Sequence, residues 1–79
     1  MLLKKVKELD YYQRKTKASY RITSLIKGSK TLLLANILLI IESEFGLGRK
    51  FVLDRLSNMQ KAGEILFDKE DGKIERLDP

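Results

Sequence analysis

The sequence predicts one small, mainly α-helical domain closed by a short β-hairpin. Three observations predict it. Apolar residues recur at helical spacing through most of residues 2–62. Glycines at positions 28, 46, 48 and 63 divide that stretch into lengths suited to helices. An Asp-Gly pair, Asp71-Gly72, then separates two short apolar runs, which is the strongest short-range signal for a hairpin. At 79 residues there is room for one core only. A hydrophobic content of 43% is enough to form that core, but a domain this small is marginal unless something staples it. The chain has no cysteine for a disulfide and no histidine for a metal, so oligomerisation is the remaining staple.

Helical patterns run over residues 2–14 and 18–27, with no helix breaker between them to prevent one long helix ending at Gly28. Leu2, Val6, Leu9 and Gln13 form a narrow seam at spacings of four, three and four, and Ala18, Ile22, Leu25 and Ile26 form a second stripe. At 100° per residue the two stripes lie on roughly opposite sides. Either the chain bends at residues 14–17, or the first half packs on a partner while the second packs on its own core. Gly28 ends this segment, and Ser29 or Thr31 is available to cap the next.

The next helix is expected to follow at once and to run to about Phe45, with Leu34, Ile37, Ile41 and Phe45 on its core side. Leu32 and Leu39 interrupt its polar arc of Asn36, Glu42 and Ser43, so it needs cover on most sides. Gly46-Leu47-Gly48 makes a tight break around one inward leucine. A third helix is expected over residues 49–62, buried along Val52, Leu56 and Met59, with Lys50, Asp54, Ser57, Asn58 and Lys61 facing away. The longest apolar run, residues 31–41 (TLLLANILLII), is about half the roughly 20 residues that span a bilayer, and no secretory signal pattern is evident. A cytoplasmic, nucleoid-associated location is therefore expected.

Charge is unevenly distributed within the net +5. Residues 1–30 hold nine Lys or Arg against Glu8 and Asp10, whereas residues 62–79 hold three against six carboxylates. A basic half joined to an acidic tail suggests a polyanionic partner on one side.

From residue 37 to residue 63 (ILLIIESEFGLGRKFVLDRLSNMQKAG) the pattern resembles the helix-turn-helix of the winged-helix superfamily, and EILFDKEDGKIERL after it resembles the wing. The local hallmark falls on Val52, Leu56, Met59, Gly63 and Ile65. The small lysine- and isoleucine-rich chain looks like archaeal transcription factors or the small regulators of archaeal plasmids and viruses. The resemblance covers about residues 16–77 and implies a winged helix-turn-helix domain over residues 16–79. Residues 1–15 lie outside it and are expected to form an additional N-terminal helix that serves dimerisation, because Leu2, Val6 and Leu9 have no obvious place in the core of one copy.

The resemblance also implies that the third helix enters the major groove of double-stranded DNA. Arg49 and Lys50 would then lead, with Ser57, Asn58 and Lys61 on the outer face. Asp54 departs from a basic reader: it is expected to pair with Lys50 or Lys61, the alternative being that it accepts from a cytosine amino group. In the wing, Asp68, Glu70 and Asp71 outnumber Lys69 and Lys73, so phosphate contacts are expected from Arg14, Lys15, Lys17, Arg21, Lys27 and Lys30 instead. Leu2, Val6, Leu9 and Leu39 are the expected dimer contacts.

No catalytic constellation accompanies these features. Gly46 and Gly48 lack the further residues of a phosphate-binding loop, and Glu42 and Glu44 diverge by about 200° on a helix. The expectation is a non-enzymatic protein without cofactor, metal or small-molecule substrate. The competing function is a winged-helix module for protein contacts inside a larger assembly, favoured by the acidic wing and Leu39.

Overall fold

A computed structural model describes the backbone of residues 2–77 and the side chains of residues 11–77. Three helices and a small antiparallel sheet follow one another as α1 (Leu2–Gly28), β1 (Thr31–Leu33), α2 (Leu34–Phe45), α3 (Arg49–Lys61), β2 (Ile65–Asp68) and β3 (Lys73–Arg76).

α1 is one unbroken helix, so of the two expected arrangements the bend at residues 14–17 is not adopted. Its 27 residues span about 40 Å at 1.5 Å per residue. The second apolar stripe packs inward as its spacing implies: Ala18, Ile22 and Ile26 are buried and Leu25 is half-buried. The expected seam of Leu2, Val6 and Leu9 lies outside the residues whose side chains are described.

The expected start of the second helix is corrected. Residues 31–33 form a strand, and α2 begins at Leu34 with extended Leu33 as its N-cap and no side-chain cap from Ser29 or Thr31. The reason is tertiary. Thr31, Leu32 and Leu33 lie opposite Glu75, Ile74 and Lys73 in an antiparallel ladder, and the Leu34 N–H donates to the Gly72 carbonyl at 2.7 Å. Pairing to β3 overrides a local pattern that suits either state. Leu32 therefore stands on a strand, half-buried against the core, and not on the polar arc of a helix.

The hairpin is accordingly part of a three-stranded sheet, with β3 in the centre between β1 and β2. Its turn is longer than an Asp-Gly dipeptide alone. Asp68 pairs with Lys73, leaving four residues between the strands. The Gly72 N–H closes the turn on the Asp68 carbonyl at 2.8 Å, and Gly72 alone there has a positive φ, of 66°. An L residue at that φ would be strained. The free edge of β2 is guarded by α3, because the Phe67 N–H donates to Gln60 Oε1 at 2.6 Å.

One core unites these elements. Ile22 of α1, Ile37 and Ile41 of α2, Val52, Leu56 and Met59 of α3, and Ile65 and Ile74 of the sheet are almost fully excluded from solvent. Leu47 between the two turn glycines is also buried, as expected. The α2 face is only partly covered by its own chain: Leu38, Ile40 and Phe45 are half-buried, and Leu39 remains 68% exposed. No helix among the described residues is long and apolar enough to cross a membrane.

Candidate nucleic-acid interface

The buried stripe of α3 fixes which side chains face out. Val52, Leu56 and Met59 point into the core, so Lys50, Asp54, Asn58 and Lys61 stand exposed on the other side and Ser57 is half-buried beside them. Arg49 is exposed at the leading end but lies on a different flank. It lines a hollow of about 330 Å³ with Leu33, Leu38 and the hairpin residues Lys69, Glu70 and Asp71.

On the opposite flank α1 runs beside α3 and leaves an open groove of about 620 Å³. Tyr11, Lys15 and Ser19 line it from α1, and Lys50, Asp54, Arg55 and Asn58 from α3. The structure thus brings Lys15 together with Lys50 and Asn58, residues expected to serve different purposes. Lys15 Nζ sits over the Tyr11 ring at 4.7 Å from its centroid, a cation–π distance. Lys17 and Lys30 are exposed but line neither this groove nor the hairpin hollow.

Two cations of the first helix bond to the last turn of α2. Arg14 Nη1 donates to the Phe45 carbonyl at 3.1 Å, and so supplies a partner for a carbonyl that the end of α2 leaves without one. Next to it, Gly46 turns the chain at a φ of 67°, and a Cβ there would stand 3.4 Å from Arg14 Nη1. Arg21 clasps Glu44 through two bonds, Nε to Oε1 and Nη2 to Oε2, each 3.2 Å. Glu44 lies in the last turn of α2, where the helix dipole disfavours a carboxylate, and Arg21 offsets that. Arg14 and Arg21, both expected at phosphate, thus also dock α1 on the end of α2.

The expected pairing of Asp54 is corrected: among the described residues it forms no ion pair with Lys50 or Lys61. Its carboxylate opens into the groove instead. In the hairpin, Asp68 Oδ1 accepts the backbone N–H groups of Glu70 and Asp71, so one acidic residue shapes the turn. Lys73 Nζ lies 3.5 Å from Glu75 Oε1.

Arg55 was not expected at the site, and neither was Ser19. Arg55 Nη2 donates to Thr23 Oγ1 of α1 at 3.1 Å, while its Nε is buried without an acceptor. Its position is a legible signal in retrospect: three residues after Val52 and four before Met59, it flanks the buried stripe where a long cation bridges to a neighbouring helix.

No protein family, curated protein or solved structure was found to match this chain.

Proposed function

We propose that this chain is a winged helix-turn-helix domain that binds double-stranded DNA with α3 in the major groove. The observation that carries this is the exposed face of α3. Lys50, Ser57, Asn58 and Lys61 project from a rigid helix whose opposite side is fixed in the core, and a basic residue of α1 flanks them. These are side chains that hydrogen-bond base edges or phosphates, and a helix is the element that fits the major groove.

Support also comes from the order of elements. Two helices joined by three residues are followed by a hairpin whose sheet is completed by a strand from before the first of them. Within this proposal Arg49, Lys50, Ser57, Asn58 and Lys61 belong to the helix side of the contact, and Lys15, Lys17, Arg21 and Lys30 to the backbone side. The protein acts as a non-enzymatic transcriptional regulator or as a replication- or chromatin-associated factor. It works as a homodimer through Leu2, Val6, Leu9 and Leu39, so that two α3 helices meet successive grooves about 34 Å apart.

A protein-contact module is the second reading, favoured by the exposure of Leu39 and Leu33. Titration of labelled random-sequence duplex at about 50 and 200 mM salt separates the two, because several phosphate contacts change affinity by orders of magnitude over that range. Salt-sensitive binding at micromolar protein is the expected result. Its absence on every duplex rejects the DNA proposal in favour of the protein-contact module.

A further inference from the structure

The two flanks of α3 differ in charge. On the α1 side the groove is lined by Lys15, Lys50 and Arg55 against one carboxylate, that of Asp54. On the hairpin side the hollow sets Arg49 and Lys69 against Glu70 and Asp71, and the charges balance. A helix in the major groove, which is about 12 Å wide, has a sugar-phosphate strand along each flank. The two strands therefore meet different fields.

Resting on the DNA-binding reading above, we infer that the groove between α1 and α3 is the principal phosphate seat of this protein. One DNA strand lies along Lys15, Ser19, Lys50 and Asn58, and the acidic hairpin adds little grip on the other. The donors there suit phosphate oxygens: two ammonium groups, a hydroxyl and an amide. Lys15 is already held over the Tyr11 ring, so less of its side-chain freedom is lost on binding than for a freely rotating lysine. A phosphate would also place negative charge near Arg55, whose buried Nε has no acceptor.

This assignment moves Lys50 and Asn58 from base reading to backbone contact. It also gives Asp54 a defined role. A carboxylate beside a seated phosphate repels it, so Asp54 limits affinity for all sequences alike.

The test is fluorescence anisotropy on a random 20-base-pair duplex between about 50 and 200 mM salt. Lys15→Ala and Lys50→Ala should each make the salt slope shallower by about 0.9. Over that fourfold change in salt, each variant should then lose about 3.5-fold less affinity than the wild type does. Lys15→Arg should keep the slope, Asp54→Asn should tighten binding to every duplex, and Lys69→Ala should leave the slope unchanged. Circular dichroism melts identify any variant that has lost its fold, and the gain expected from Asp54→Asn cannot arise from unfolding. If Lys69→Ala flattens the slope as much as Lys15→Ala, or if Asp54→Asn weakens binding, the groove is not the phosphate seat although the protein binds DNA. If the wild type shows no salt-dependent binding, the DNA reading itself falls and this assignment with it.

Discussion

Replacing Leu56 by alanine removes a side chain that is 0% exposed and lies in the same apolar cluster as Ile22, Ile37 and Ile41. Deleting such a leucine loses its transfer free energy and leaves a cavity that the surroundings fill only partly, at a cost of about 2 to 5 kcal/mol. A domain of 79 residues is stabilised by roughly 4 to 12 kcal/mol in all, at about 0.05 to 0.15 kcal/mol per residue. The substitution therefore removes a large share of the stability. In a chain of this length 1 kcal/mol corresponds to about 4–8 °C in Tm, so the melt followed at 222 nm should drop by about 8 °C or more. Leu39→Ala is the matched control: the same atoms are removed from a side chain that is 68% exposed. In dilute monomer its effect should stay within about 0.5 kcal/mol. If Leu56→Ala melts within a degree or two of wild type, the packing of α3 described above is wrong.

Three further outcomes follow from individual contacts, and a fourth from the proposed dimer. Gln60→Ala strands the Phe67 N–H at the edge of β2 and should cost about 1 to 3 kcal/mol in urea unfolding, whereas Gln60→Glu, which keeps an acceptor, should cost less. Arg14→Ala removes the donor to the Phe45 carbonyl and should destabilise by about 1 kcal/mol, an effect absent if α1 is not docked on the end of α2. Arg21→Ala should cost under about 1 kcal/mol, because its pair with Glu44 is exposed to solvent and screened by salt. Sedimentation equilibrium at tens of micromolar should give a dimer, and deleting residues 1–12 should give monomers; a species of 9.1 kDa alone in the full chain would rule out the homodimer.

The helices were legible in the sequence because their cores repeat at helical spacing. Ala18 with Ile22, Ile37 with Ile41, and Val52 with Leu56 are pairs four apart, and all are buried. The hairpin was legible from its Asp-Gly signal. β1 was not, since TLL extends an apolar run that suits a helix equally well, and only the partner strand some forty residues later decides between them. The site was legible one helix at a time. Spacing put Lys50, Ser57, Asn58 and Lys61 on one side of α3, but the crossing of α1 and α3 that joins Lys15 and Arg55 to them depends on how the helices pack. For the same reason a count of charges did not separate Lys15, which lines the groove, from Arg14 and Arg21, which dock α1 on α2.

The most direct test of the proposed DNA contact is a titration of 15N-labelled chain with duplex, followed by amide chemical shifts. Residues along the exposed side of α3, from Lys50 to Lys61, and the neighbouring turns of α1 around Lys15 and Ser19 should shift most, with the hairpin turn near Glu70 shifting little. Shifts gathered instead around Leu33 and Leu39, or no shifts at saturating duplex, would contradict the DNA-binding account.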